Sequence, residues 1–131
     1  MALVFVETWQ QECCGDPFAV GDEVSWPVVA VQDQELLAVR LGRELSGRVT
    51  ACVERHAEHV EELRLRVNRI RSAFCAYEKV PGQDRRLPHG ETHRPVPGTT
   101  VLRDVRAVDR GHQELEHLHW LGYVVDAQPF D

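Results

Sequence analysis

The chain reads as an α+β protein, mainly β: a small, partly open barrel of five or six strands with one short helix. Three observations predict this. Short runs of β-branched and aromatic residues recur, at residues 3–9, 24–30, 99–108 and 120–125. Glycine and aspartate corners separate the first of them, at Gly15-Asp16 and Gly21-Asp22. One segment, 34–42, lies between a capping Asp33 and Gly42 and carries leucines four residues apart.

A length of 131 residues predicts a single domain spanning 1–131. Hydrophobic residues make up 43%, enough for a self-sufficient core rather than a disordered chain. The formal charge of −6 argues against a nucleic-acid backbone as the main partner, because such binders present a net basic face. The opening residues lack a basic leader region and no stretch approaches the ~20 apolar residues of a membrane span. The expectation is a cytoplasmic protein without membrane contact, with its four cysteines reduced. Cys13 and Cys14 are adjacent, and a bond between them needs a strained peptide, so they read as two thiols.

Residues 3–9 are apolar on both faces and predict a buried strand. Residues 10–18, with Gly15, Asp16 and Pro17, predict a turn. After the Gly21-Asp22 corner, Val24, Trp26, Val28 and Ala30 alternate with their neighbours as a half-buried strand, which Pro27 places at an edge or bulge. A short helix follows over about 34–42. Residues 48–79 contain neither Gly nor Pro, and their apolar residues repeat at spacings of three and four. That pattern alone favours one long amphipathic helix over 50–76 packed on a small sheet. The competing reading has a short strand at Val49, Ala51 and Val53, and a second from Leu63 to Tyr77 with a bulge near Arg69. Residues 80–98, rich in Pro and Gly, predict a loop. Residues 109–119 are polar and His-rich and predict another, with 127–131 a short tail.

The run W-Q-x-x-C-C-G-x-P-F-x-V-G-D-x-V-x-W, from Trp9 to Trp26, resembles a family of small uncharacterised actinobacterial proteins, a domain-of-unknown-function family. Looser matches fall at Val67-x-x-Ile70, Cys75-x-Tyr77, Pro95-Val96-Pro97-Gly98 and Gly122-Tyr123-Val124-Val125. The resemblance implies a β-rich fold and decides residues 63–77 in favour of strands. It also implies a mid-chain Glu-His-His-Gly-like loop corresponding to residues 54–59, where this chain lacks the glycine and separates its histidines. The Gly-Asp corner leading to Val24 and Trp26 is similar to the opening of SH3-like and Tudor-like barrels, so the barrel is expected to be SH3-like or OB-like. The family implies no activity.

Two constellations carry candidate chemistry. Cys13, Cys14, His56 and His59 supply thiolate and imidazole, the donors a tetrahedral zinc ion takes. The spacing is not a C-x-x-C knuckle, and adjacent residues of an extended chain point apart, so one cysteine is expected to pack instead. The sequence requires no cofactor; zinc is the one these donors suit. Trp9, Phe18, Trp26 and Tyr77 are aromatics that a small barrel can gather into a binding groove, though aromatics more often build the core. His112, His117 and His119 lack a further donor at fixed spacing and read as surface histidines. Cys52 and Cys75 lie in apolar runs and read as core thiols. Arg64, Arg66, Arg69 and Arg71 read as a solvated charged face paired with Glu61 and Glu62. No nucleophile–base signature is present, so the chain leans away from an enzyme. The leading expectation is a binding module with a protein partner. The alternatives are a zinc-dependent structural or catalytic protein, and a Tudor-like module associated with nucleic acid or RNA polymerase.

Overall fold

The computed structural model describes residues 1–81 and 91–130. It is mainly β, with a closed barrel of five strands and three short helices. The predicted mainly-β barrel is present, closed rather than partly open, and with two helices beyond the one expected.

The chain enters as β1 (Ala2–Glu7), turns through helix α1 (Thr8–Cys14), then forms the short β2 (Phe18–Ala19) and the long β3 (Glu23–Val29). Helices α2 (Gln34–Leu41) and α3 (Arg43–Arg48) lead to β4 (Ala51–Val53). The longest strand, β5 (Glu61–Cys75), follows, and β6 (Tyr77–Pro81) pairs with β7 (Glu91–Pro95) as a hairpin. The chain ends through β8 (Val101–Val105), β9 (Ala107–Val108) and β10 (His119–Pro129). The loop expected over 80–98 is thus partly a hairpin, and its centre, 82–90, lies outside the described residues. Among the described residues no helix is long and apolar enough to cross a membrane.

Barrel closure follows the order β10-β1-β4-β3-β5, with β5 returning to pair with β10. Strand β5 is long enough to take three partners. Its first half pairs with β3, from Val28 opposite Glu61 to Glu23 opposite Arg66. Its second half takes β8 at Ile70 to Phe74, and its other edge runs along β10. The long helix over 50–76 is therefore overturned: these residues are β4, a turn and the whole of β5. A register shift leaves Asn68 as the extra residue between Val67, opposite Ala127, and Arg69, opposite Asp126. That bulge falls where the strand reading places it.

Alternation explains why β1 is apolar throughout. Val4 and Val6 face the barrel interior with Trp26, Leu65, Val67, Ile70, Tyr123 and Val125. Leu3 and Phe5 face outward, where Leu37, Leu41 and Leu45 of the two helices cover them. Burying both faces of one strand in this way is favoured at roughly 25 cal/mol per Å² of apolar surface. Asp33 caps α2 by accepting from the Leu36 amide at 3.0 Å, as its position predicts. Gly42, at φ +89°, ends α2, and α3 follows directly, bringing Leu45 to the same apolar face. The expected C-terminal tail is instead strand: β10 continues to Pro129. The first strand ends at Glu7, two residues earlier than its β-formers suggest, because Thr8 starts α1.

Gly122 is the tightest point of the barrel. Its φ is +138°, and a side chain there would strike the carbonyl of Val6 on the adjacent strand. We expect Gly122→Ala to cost at least about 2 kcal/mol in urea unfolding, because the backbone conformation and the collision both oppose it. Gly47, in α3 with open space around it, is the control: Gly47→Ala is expected to stabilise by about 0.5–1 kcal/mol.

Tyr123 gives a pH signature of the closed barrel. Its side chain is buried and its hydroxyl has no hydrogen-bond partner among the described residues. Burial, and secondarily the Asp109 carboxylate, push its pKa up to about 12. The folded protein then keeps this proton above pH 10 while the unfolded chain loses it. The associated stability is present below about pH 10 and falls as pH rises toward 12, by on the order of 2 kcal/mol. Urea unfolding across that range should show the decline, and Tyr123→Phe should reduce it.

Candidate functional site

Helix α1 and the turn after β4 meet at one end of the barrel, and the meeting is held by two buried amides. Gln10 and Gln11 are essentially inaccessible to solvent. The Gln10 amide nitrogen donates to Oε1 of Glu54 at 3.1 Å, and its oxygen accepts from the backbone N–H of Arg55 at 3.0 Å. The same Glu54 oxygen accepts from the His56 amide at 2.9 Å. Gln11 turns the other way and donates to the carbonyls of Asp16 (3.1 Å) and Asp109 (3.2 Å). Gln10 therefore clamps residues 54–56 onto α1, while Gln11 ties down the turn that follows the cysteines. Gly15 belongs to the same arrangement: a side chain there would occupy the space of the Gln11 amide. Arg110 closes the turn by donating from Nε to the Gly15 carbonyl at 2.7 Å.

This framework brings three donors together. Nε2 of His56 lies 3.4 Å from Sγ of Cys14 and 3.7 Å from Sγ of Cys13. The sulfur and nitrogen atoms lie within 4.8 Å of one another, a grouping that could hold a metal ion. Cys13 is exposed and Cys14 half-buried. The expectation that one cysteine packs away from the other is overturned, because the pair ends a helix rather than lying on an extended strand. At the last turn of α1 both sulfurs face His56. The expectation of two separate thiols is also corrected: the two sulfurs lie at disulfide distance and are paired. Trp9 covers the imidazole from the far side, with its indole stacked on His56 at 5.4 Å between centroids and 15° between planes.

His59 does not join this group. It borders a separate groove with Val28, Ala30, Thr50 and Glu61. The three C-terminal histidines stay apart too: His112 packs edge-on against Trp120 and lies 3.4 Å from Glu12, His119 packs on Tyr77 at 4.7 Å, and His117 is exposed.

The four aromatics divide in two. Phe18 and Trp26 are core residues, each 4% exposed and packed edge-to-face on one another at 5.0 Å, so they form no binding surface. Trp9, 46% exposed, and Tyr77 border the same open cleft of about 500 Å³. Arg40 sits at its base, where Nη1 meets Oε1 of Glu7 at 2.8 Å. Burial opposes the charge on Arg40, but Tyr77 and Glu7 more than offset it and hold its pKa above the ordinary value. The second Glu7 oxygen accepts from the Trp9 indole at 2.7 Å, so Trp9 is fixed both to the cleft and to His56.

With the geometry in place, the sequence comparison gives one answer. The chain belongs to DUF6578, a family of unknown function. The family model matches residues 1–129, which is nearly the whole chain. No curated protein and no solved structure matches it. In this DUF6578 member the W-Q-x-x-C-C-G run has a physical account: Trp9 stacks on His56, Gln10 clamps the His56 segment, Cys13 and Cys14 face it, and Gly15 clears the Gln11 amide.

The other cysteines are different in kind. Cys75 is buried, and Cys52, half-buried in β4, has its pKa pushed up to about 11 by burial and then by Glu7. The arginines of β5 are balanced by acids: Arg66 meets Glu23 at 2.6 Å, Arg69 meets Asp104 at 2.7 Å and Arg71 meets Asp126 at 3.5 Å. Arg64 lies over the Phe130 ring. The partners are cross-strand neighbours rather than the expected Glu61 and Glu62.

Gln10 carries a direct prediction. Gln10→Leu keeps the bulk and removes both hydrogen bonds to the 54–56 segment, leaving the Arg55 amide without its partner and Glu54 Oε1 with the His56 amide alone. Urea unfolding should show a loss of about 1–3 kcal/mol. Amide hydrogen exchange at Arg55 and His56 should accelerate, while exchange in β5 and β10 should follow only the global loss.

Proposed function

We propose that this protein is a zinc-binding interaction module, with Cys13, Cys14 and His56 as its three protein ligands. One observation supports the reading above others. A tetrahedral zinc ion with Zn–S bonds of about 2.3 Å and Zn–N bonds of about 2.0–2.1 Å separates its sulfur and nitrogen ligands by about 3.6 Å. With the two sulfurs paired as they are here, the sulfur–nitrogen distances of 3.4 and 3.7 Å bracket that value, so His56 stands within ligand range of both cysteines. In that state both cysteines are thiolates and His56 is neutral, with its remaining proton on Nδ1.

Three ligands leave a fourth position. The group lies at the surface, so water or a side chain from another molecule completes the tetrahedron. We favour a protein partner, because the exposed Trp9 and the cleft it shares with Tyr77 adjoin the metal position, and aromatic residues of this kind anchor protein interfaces. The acid partners of the β5 arginines weigh against a nucleic-acid partner, because counterion release needs free cations. A thiolate-ligated zinc calls for a reducing compartment, consistent with the cytoplasm.

Competition with a chromophoric chelator tests the metal. Protein kept reduced should bind one equivalent of zinc. Cys14→Ser and His56→Gln should each weaken binding at least about tenfold, and His59→Ala should leave it unchanged. Zinc well below one equivalent in folded, fully reduced protein would overturn the proposal.

A further inference from the structure

We infer that this zinc is released by oxidation: Cys13 and Cys14 form a two-electron couple whose disulfide state cannot hold the metal. The inference rests on the zinc reading and adds its regulation. Two observations on the same atoms carry it. His56 stands at zinc-ligand separation from both sulfurs, and those sulfurs are paired with each other. The two arrangements exclude one another. Sulfurs sharing a tetrahedral zinc stand about 3.8 Å apart, whereas a disulfide holds them at about 2.05 Å and leaves neither as a thiolate.

The fold lets one state pass into the other. His56 is held by the hydrogen bond its backbone N–H donates to Glu54, which Gln10 fixes, so its backbone is positioned without help from the sulfurs. The cysteines end α1 and are followed by Gly15, so rotations confined to two side chains and their shared peptide change the sulfur separation. Access is asymmetric: Cys13 is exposed and Cys14 half-buried.

The oxidant is a low-molecular-weight disulfide, RSSR. The Cys13 thiolate attacks one sulfur of RSSR, breaking its S–S bond, forming a mixed disulfide and expelling RS⁻. The Cys14 thiolate then attacks Sγ of Cys13, forming the Cys13–Cys14 bond and expelling the second RS⁻. Two electrons pass from the cysteine pair to RSSR. Both RS⁻ groups take protons from solvent, and zinc, left with one imidazole, departs as the dication. A thiol reductant runs the steps backwards.

Cys52 and Cys75 do not compete. Burial raises both pKa values, so little of either is thiolate near neutral pH. Trp9 reports the state from within, since its indole lies on the imidazole that gains or loses the metal, whereas Trp26 and Trp120 are buried in the core.

The test uses the full chain, reduced, loaded with zinc and freed of excess. Oxidised glutathione is added, and released zinc is followed with a chromophoric chelator. Thiols are counted by alkylation and peptide mass spectrometry. The expected result is one zinc released per two thiols lost, both from Cys13 and Cys14, with Cys52 and Cys75 still alkylated. Dithiothreitol should restore binding to the starting level. Tryptophan emission should change in step with release in the wild type, and Trp9→Phe should lose that change while still releasing zinc. If zinc binds and stays while the Cys13–Cys14 bond forms, or leaves while both thiols remain free, the gating is wrong and the zinc reading stands. If the folded, reduced protein takes no zinc, the zinc reading falls and the gating with it.

Discussion

Burying two amide side chains is expensive unless their polar atoms find partners, and the end of the barrel that carries the cysteines is built around the hydrogen bonds these two amides make. A buried amide without hydrogen bonds costs on the order of 1–3 kcal/mol. Gln10 satisfies its oxygen and donates from its nitrogen on the 54–56 segment, and Gln11 donates twice to the turns at Asp16 and Asp109, with only the Gln11 Oε1 left without a partner among the described residues. These bonds join three parts of the chain far apart in sequence. Without them α1 would be seven residues with no capping side chain, too short to persist by propensity alone. The site is therefore held by side-chain hydrogen bonds to backbone and carboxylate rather than by helix stability, and the barrel supplies the fixed surface on which they act.

The barrel depends in turn on β5, whose sequence looks helical. Its inward residues are Leu65, Val67, Ile70 and Phe74, at spacings of two, three and four. A strand of strict alternation would not produce the step of three. The bulge at Asn68 does, by inserting one residue and switching the phase of everything after it. Spacings of three and four in a segment without Gly or Pro are what an amphipathic helix also shows. The ambiguity is thus physical, and pairing with β3, β8 and β10 resolves it by giving both edges of the strand their hydrogen bonds. The family resemblance pointed to the strand; periodicity alone pointed to the helix.

The parts of the site that were legible were those where residue type limits the chemistry. Cys13, Cys14 and His56 stand out because thiols and imidazoles are few and their donors are soft. His59 shares that chemistry but not the location, since three residues along an extended turn carry it to another groove. Phe18 and Trp26 could not be told from Trp9 and Tyr77 by type; burial alone separates core from cleft. The roles of Gln10 and Gln11 had a signal that went unused. Two consecutive glutamines beside a tryptophan, in the most specific motif of the chain, are unusual choices for a turn. Helix α1 itself was hidden because Gly15, Asp16 and Pro17 mark a turn so close to a seven-residue helix that the two signals merge.

Fixing the imidazole while leaving the sulfurs adjustable has a consequence for how such a centre behaves. The His56 position is set by the barrel through Glu54 and Gln10, so it is common to both states of the cysteine pair. Any change in the centre is then confined to Cys13, Cys14 and the peptide between them, with little of the core disturbed. A metal site made this way does not hold up the fold, unlike a zinc finger, whose folding free energy is its binding free energy. The barrel has its own apolar interior and second layer under α2 and α3, so it survives with or without the ion. Trp9, stacked on His56 and hydrogen-bonded to the same Glu7 that holds Arg40, joins the cysteine–histidine group to the neighbouring cleft.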